Sequence, residues 1–182
     1  MKKFVALLIA ALMVLSVPAL AESEKTYTVG ICQLVQHVAL DAATQGFKDA
    51  LTEKLGDNVK FNEQNASGDS ANCITIINGF LADNVDLIMA NATPALQAAQ
   101  AATADTPILG TSVTDYGTAL DIADWTGATG MNISGTSDLA PLDGQADMIK
   151  ELFPDAKKVG LLYCSAEANS VYHQGLSDRD GL

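Results

Sequence analysis

The sequence has few basic residues for its acidic content. Lysine and arginine number 10 against 22 acidic residues, so the formal net charge is −12. Nucleic acids and anionic membrane surfaces are bound by proteins that present a basic face. The charge balance therefore argues against both as partners, and we expect no nucleic-acid-binding role.

Common catalytic and metal-binding motifs are also missing. The sequence contains no G-x-S-x-G elbow, no Walker loop and no H-E-x-x-H zinc motif, and Gly30 begins no G-x-G-x-x-G. The two histidines, His37 and His173, are far apart. We predict that the protein is not an enzyme and uses no metal or cofactor. A His37/Asp41 pair acting with a serine leaves an exported hydrolase as the alternative.

Cysteines are few, and their number is odd. Cys32, Cys73 and Cys164 form no C-x-x-C pair. In an exported protein a bridge such as Cys32–Cys73 would leave one thiol over. The other interpretation is that all three pack as small hydrophobic side chains, and the apolar residues around them favour it.

Only one long apolar run exists, and it lies at the start of the chain. Lys2 and Lys3 precede the apolar residues 4–17, and Ala19-Leu20-Ala21 matches an A-x-A cleavage site. The alternative is a membrane anchor, but the run is short for a span and ends in small residues. Residues 1–21 are therefore predicted to be a signal peptide cleaved after Ala21. The mature protein is expected in the periplasm or outside the cell.

The rest of the chain alternates between short apolar runs and segments with helical periodicity. The predicted strands are residues 27–33, 59–64, 87–90 and 107–112, with a short fifth strand at 131–133. Amphipathic helices fill the intervals between the first four strands. Such alternation predicts an α/β fold with a parallel sheet, helices on both faces and right-handed crossovers. Residues 22–134 are assigned to a complete first α/β lobe.

The pattern changes after this lobe. Residues 135–172 are predicted to hold a hinge, a helix at 142–153 and a strand at 157–163, which begin a second α/β lobe. The residues that remain are too few to complete that lobe. Residues 173–182 have no apolar periodicity and are predicted to be an irregular tail. We expect a truncation or a frame change near His173.

Polar residues gather where the predicted strands end. The carboxyl ends of parallel strands meet at one edge of a sheet, where small ligands bind. Thr93 followed by Pro94 indicates a helix N-cap and first helical position. The N–H groups of that helix start suit a carboxylate, and Asp115, Asp138 and Glu167 suit an ammonium group. The alternative is that these residues only cap helices and form turns, which explains Gln33 and His37 least well.

An ordered set of short motifs carries a resemblance. The set comprises Gly30-Ile-Cys-Gln33, His37-Val-Ala-Leu-Asp41, Gln45-Gly-Phe47, Gln64-Asn-Ala66 with Gly68-Asp69, Val85-Asp-Leu-Ile88, Ala92-Thr-Pro-Ala95, Val113-Thr-Asp115, Gly135-Thr-Ser-Asp138 and Ser165-Ala-Glu-Ala-Asn-Ser170. Over residues 27–172 the chain resembles the ABC transporter substrate-binding proteins of the tryptophan/tyrosine type. Tyr116 departs from the pattern, because that family usually has proline there.

The resemblance implies a periplasmic-binding-protein fold with two α/β lobes, a ligand cleft between them and delivery to a membrane permease driven by a separate ATPase. Known ligands of the family include aromatic amino acids. Carried over residue by residue, the implied ligand-binding set is Gln33, His37, Asn65, Thr93, Thr114, Asp115, Asp138, Glu167, Asn169 and Ser170. A cleft buries its ligand between two walls, so the 182-residue chain is expected to bind weakly or not at all.

The sequence thus predicts a monomeric, extracytoplasmic component of an ABC importer that captures an amino acid or similar small solute. Capture is expected to proceed by closure about a hinge at residues 134–138. The first alternative is an exported module that presents its ligand to a membrane receptor, and the second is the hydrolase. The fold by itself does not decide among these functions.

Overall fold

A single parallel sheet forms the centre of the protein. The computed structural model describes residues 25–179, so the predicted signal peptide lies outside the described residues. The strands are β1 (Tyr27–Gln33), β2 (Val59–Asn65), β3 (Leu87–Asn91), β4 (Ile108–Val113) and β5 (Ile133–Ser137). They lie in the order β2-β1-β3-β4-β5, and every neighbouring pair is parallel.

Helices connect the strands. They are α1 (Val38–Leu55), α2 (Ser70–Ala82), α3 (Thr93–Ala102), the short α4 (Tyr116–Ala119), α5 (Leu142–Leu152) and α6 (Ala168–Arg179), with a 3₁₀ turn at Gly56–Asn58. The predicted α/β fold with a parallel sheet is confirmed. Within residues 25–179, none of these helices combines the length and the apolar character needed to cross a bilayer.

Side chains of β1 alternate between two apolar layers. Val29 and Ile31 belong to the cluster that packs under α1. Cys32 belongs to the larger cluster under α2 and α3, which also contains Ile77 and Phe80. Successive residues of a strand point to opposite faces of the sheet, so this one strand serves both layers. Apolar side chains therefore cover both faces of the central sheet.

Gly30 allows a close approach between β1 and α2. A Cβ atom built on Gly30 would lie 2.6 Å from Cγ of the Phe80 ring. Phe80 is 1% exposed and is among the largest fully buried side chains. The ring therefore occupies the space that a side chain at position 30 would need.

The strand order creates a switch point between β1 and β3. The chain leaves β1 towards α1 on one face of the sheet, and leaves β3 towards α3 on the other face. In an open α/β sheet, ligands bind in the crevice outside the carboxyl ends of the strands at such a point. The fold therefore locates the candidate site next to the ends of β1 and β3.

One sequence prediction about the first lobe needs correction. The fifth strand begins at Ile133 and not at Met131, and it continues to Ser137. It pairs with β4, from Ile108 with Ile133 to Val113 with Ser137. The predicted lobe boundary at Ser134 and most of the predicted hinge at 134–138 therefore fall within a hydrogen-bonded strand. Hinges lie in loops or at the ends of helices and strands, and residues 138–141 form such a loop between β5 and α5.

Later predictions also need correction. Residues 157–163 are not a strand, because within residues 25–179 no neighbouring strand pairs with them; Leu162 is fully exposed. The predicted irregular tail begins inside α6, which reaches Arg179. This helix contacts α4 and α5, and packing of this kind overrides a weak sequence pattern. Cys164 is exposed, so it does not pack as a hydrophobic side chain.

Candidate functional site

The carboxyl edge of the sheet brings several predicted residues together. Gln33 at the end of β1 is the register partner of both Asn65 on β2 and Asn91 on β3. On the other side, the backbone N–H of Asp138 donates to the carbonyl oxygen of Val113 at 3.0 Å. That bond brings Asp138 next to the residues that follow β4. The strand ends therefore form one continuous polar edge.

Gln33 is held by the protein itself. Its side chain is buried, and its Nε2 donates to the carbonyl oxygen of Val35 at 2.9 Å and to Oδ1 of Asp41 at 2.6 Å. Its Oε1 accepts from the Thr44 hydroxyl at 2.7 Å. Both amide hydrogens and the amide oxygen are thus engaged. Gln33 fixes the start of α1 against the end of β1.

Asn91 and Thr44 extend this contact, and neither belongs to the predicted ligand-binding set. Nδ2 of Asn91 donates to Thr44 Oγ1 at 2.9 Å and to the carbonyl oxygen of Leu40 at 2.8 Å. We call Asn91, Thr44, Gln33 and Asp41 the polar relay. Asn91 is fully buried, and its Oδ1 has no hydrogen-bond partner within residues 25–179. The sequence signal was a polar residue at a strand end and a threonine on the buried face of α1.

The junction between β3 and α3 differs from its prediction. Thr93 is not the N-cap: the helix begins at Thr93, the N-cap is Ala92, and no side chain caps the helix. Ala92 has φ 95° and ψ 158°, a conformation found almost only in glycine that costs about 1–3 kcal/mol. Its N–H donates to the carbonyl oxygen of Thr111 at 3.0 Å. The hydrogen bond to β4 therefore holds Ala92 in a strained conformation directly beside the switch point.

Two other predicted residues cap helices, and a third forms a turn. Nδ1 of His37 accepts from the Ala39 N–H at 3.2 Å, so His37 caps α1, although capping explained this residue less easily in the sequence. Oδ1 of Asn65 accepts from the Ser67 N–H at 2.8 Å, and Oδ1 of Asp115 accepts from the Thr118 N–H at 2.7 Å. These bonds engage one atom of each side chain. All three side chains remain at least partly accessible at the sheet edge.

The side chains of His37 and Asp41 do not form the pair that the hydrolase alternative needs. His37 uses Nδ1 for its helix cap, and the Asp41 carboxylate accepts from Gln33. A nucleophilic triad needs the base oriented by the acid, but within residues 25–179 the two residues are joined only through the backbone, where the Asp41 N–H donates to the His37 carbonyl oxygen at 2.8 Å. Over the same residues, no group of three or more histidine, cysteine, aspartate or glutamate side chains is arranged to hold a metal ion.

Tyr116 fills the space beneath the ends of β4 and β5. It is 6% exposed, and its hydroxyl donates to the carbonyl oxygen of Thr136 at 3.3 Å. A Cβ atom added to Gly110 or Gly135 would collide with that hydroxyl. Trp125 stacks on the ring, with centroids 6.5 Å apart. Thr114 is buried in the same region, where its carbonyl oxygen accepts from Ser137 Oγ at 2.6 Å.

This environment predicts a pH effect. Burial and the nearby charge of Asp138 raise the pKa of Tyr116 to about 12. Because the folded-state pKa lies above the unfolded value, the stabilising contribution is complete below about pH 10 and is lost as the pH rises towards 12. Between pH 9 and pH 11.5, the free energy of unfolding of the wild type is expected to fall by about 2 kcal/mol more than that of Tyr116→Phe.

Urea unfolding at several pH values measures this difference. Tyr27→Phe is the matched control, because Tyr27 is 37% exposed. The control is expected to follow the wild type. If the free energy of unfolding falls equally with pH in the wild type and in Tyr116→Phe, the prediction is contradicted.

The last three predicted residues lie apart from the strand ends. Glu167 precedes α6, and its carbonyl oxygen accepts from the Val171 N–H at 3.1 Å. Asn169 and Ser170 in the first turn of α6 line a hollow of about 250 Å³ with Gln145 of α5, and no strand-end residue lines it. Because α6 contacts α4, which follows Asp115 directly, the two groups lie on the same side of the molecule. Within residues 25–179, the strand-end residues and the α6 residues do not line one common pocket.

Comparison with known proteins gives the family. The model of the family "ABC transporter substrate binding protein" matches residues 28–176. A tyrosine-binding protein of Clostridioides difficile is 43% identical over 152 residues, which are 82% of this chain and 44% of that protein.

Two solved structures agree with this match. A conserved domain protein from Vibrio cholerae has a TM-score of 0.80 at 36% identity, covering 86% of this chain and 53% of that one. The ABC domain in complex with L-Trp from Streptococcus pneumonia has a TM-score of 0.77 at 33% identity, covering 87% and 55%. The chain thus spans about half the length of the relatives it matches. The predicted periplasmic-binding-protein fold is confirmed, and the chain belongs to the ABC transporter substrate-binding protein family.

Proposed function

We propose that this protein is the extracytoplasmic solute-binding component of an ABC importer and that its ligand is an amino acid, with aromatic amino acids as the first candidates. A tyrosine-binding relative and a relative in complex with L-Trp support that ligand class. The predicted signal peptide at residues 1–21 supports export. In this proposal the protein acts as a monomer, has no catalytic activity and delivers its ligand to a membrane permease.

The observation that carries the proposal is the β3–α3 junction. Strained backbone at Ala92 turns the chain from the end of β3 into α3 within one residue. The first-turn N–H groups of a helix have no partner within the helix, and they attract a carboxylate. Thr93 stands in that turn and is 3% exposed. We assign the ligand carboxylate to this turn.

The ammonium group of the ligand is assigned to the acidic side of the same edge. Asp115 and Asp138 follow the ends of β4 and β5, and the bond between Asp138 and Val113 holds them close. Gln33, His37, Asn65 and Thr114 complete this wall in the proposal, with Gln33 acting as a positioning residue. Glu167, Asn169 and Ser170 are assigned to the opposite wall. The hinge between the walls is placed at residues 138–141, after β5.

One wall alone is expected to hold the ligand weakly. The 182-residue chain should bind L-tryptophan with a Kd in the millimolar range, because a cleft needs both walls to bury its ligand. Titration with L-tryptophan followed by NMR shifts of backbone amides measures this affinity, and shifts are expected at Thr93 and Asp115. Calorimetry that gave a micromolar Kd would contradict the prediction.

Thr93 tests the assignment of the carboxylate. Thr93→Ala is expected to weaken L-tryptophan binding about tenfold while lowering the free energy of unfolding by no more than about 1 kcal/mol. Thr52→Ala is the matched control, because Thr52 is exposed on α1. It should leave both quantities unchanged. If Thr93→Ala lowers the free energy of binding and the free energy of unfolding by equal amounts, Thr93 serves only the fold.

A further inference from the structure

Two cysteines meet in the core between the sheet and α2. Cys32 lies on β1 and Cys73 lies on α2, and both are 0% exposed. Both belong to the same buried cluster between β1 and α2, and each thiol shifts the pKa of the other, so the two side chains are neighbours. No proposed ligand contact involves either sulfur. The pair is therefore unexplained by the binding function.

The chain around the pair is fixed by backbone bonds. The Ala66 N–H donates to the carbonyl oxygen of Gln33 at 2.9 Å, and the Gly68 N–H donates to that of Leu34 at 2.8 Å. These bonds tie the loop before α2 to the residues that follow Cys32. Asp69 then caps α2, and its carbonyl oxygen accepts from the Cys73 N–H at 3.3 Å. The backbone thus fixes the positions of Cys32 and Cys73 relative to each other.

We propose that Cys32 and Cys73 form a disulfide in the exported protein and that Cys164 stays a free thiol. The proposal rests on the proposed location outside the cytoplasm, where disulfides form and persist. The bond would close a loop that contains all of α1 and β2. Such a cross-link stabilises a protein mainly by restricting its unfolded chain.

The reaction is an exchange with an oxidant of the protein dithiol–disulfide class. One cysteine thiolate attacks the disulfide of the oxidant and forms a mixed disulfide; the second thiolate attacks the sulfur of the first cysteine and releases the reduced oxidant. The two thiols lose two electrons and two protons, and the oxidant disulfide becomes a dithiol. Both sulfurs are fully buried in the folded protein. The exchange therefore takes place before the core closes.

The folded, reduced pair would resist later oxidation. The neighbouring Cys73 thiol, together with burial, raises the pKa of the Cys32 thiol, while the same interaction lowers the pKa of Cys73. Whichever sulfur carries the thiolate, neither is exposed to an oxidant. Chains that fold before oxidation should therefore keep both thiols.

Thiol counting tests the proposal. The 182-residue chain is expressed with its own leader, recovered from the periplasm and alkylated in denaturant without reductant. One alkylated cysteine is expected in the wild type and none in Cys164→Ser, and peptide mapping should link Cys32 to Cys73. Alkylation of all three cysteines, or a link that involves Cys164, would overturn the proposal. Ligand binding is not measured, so the result is independent of the proposed ligand.

Thermal unfolding gives a second readout. Protein that is denatured, reduced and refolded in reductant should melt about 10 °C below the oxidised protein. The same difference is expected for Cys164→Ser, and none is expected for the double variant Cys32→Ala/Cys73→Ala. Equal melting temperatures of oxidised and reduced Cys164→Ser would overturn the proposal.

Discussion

Replacing Gly30 with alanine is expected to lower the free energy of unfolding by about 3 kcal/mol. The added methyl group would lie 2.6 Å from Cγ of Phe80, well inside van der Waals contact. Phe80 is fully enclosed between the sheet and α2, so its ring has no free space into which it can move. Either the ring leaves its rotamer or α2 shifts away from β1. Denaturation in guanidinium chloride measures the loss.

Gly79→Ala provides the matched control. Gly79 is next to Phe80 on α2, and a Cβ atom there would have nothing within 4 Å. Alanine in that helix position is expected to stabilise the protein by about 0.5–1 kcal/mol. Truncation of the ring should also relieve the clash, so Gly30→Ala should cost less in a Phe80→Leu background. A loss below about 1 kcal/mol in the wild-type background would refute the account of this contact.

Replacing Gln33 with leucine is expected to destabilise the protein by a similar amount, about 3 kcal/mol. The change keeps the approximate size of the side chain but removes all three of its hydrogen bonds. Thr44 would lose the acceptor for its hydroxyl, and the Val35 carbonyl and the Asp41 carboxylate would lose a donor. Val35 and Asp41 are exposed, whereas the Thr44 hydroxyl is buried, and a buried polar group left without a partner costs about 1–3 kcal/mol. Urea unfolding measures the effect.

The same variant separates two roles for Gln33. A residue that only contacted the ligand would leave stability unchanged and weaken binding. A positioning residue lowers stability first and weakens binding through the movement of α1. Gln45→Leu is the control, because Gln45 is exposed and its side chain bonds only to Asp49 on the same helix; it should change stability by no more than about 0.5 kcal/mol. Unchanged stability in Gln33→Leu would return Gln33 to the ligand contacts.

The secondary structure of the first lobe was predictable because local patterns decide it. Apolar runs alternate with amphipathic segments, and β1, α1 and β2 form where those patterns indicate. The polar relay was not predictable in this way. Asn91 and Thr44 are 47 positions apart in sequence, and the packing of α1 against β1 and β3 brings them together. Sequence spacing identified the strand ends but not their partners.

The caps show where residue type misleads. Threonine before proline is a common helix start, yet Ala92 takes the N-cap position because its N–H is held by Thr111 on the next strand. Histidine is not among the preferred caps, and His37 nevertheless caps α1 through Nδ1. Both outcomes depend on backbone geometry that tertiary contacts impose. Residues 157–163 show the same limit, since a strand needs a neighbour that its own sequence does not encode.

The order of the strands also has a consequence for the speed of folding. The N–H of Thr28 on β1 donates to Asp86 just before β3, a contact between residues 58 positions apart. The centre of the sheet can therefore form only after β3 has been synthesised and has paired with β1. Folds that depend on such contacts between distant residues fold slowly. A protein that crosses a membrane before it folds gains from that delay, because the chain remains extended while it is translocated.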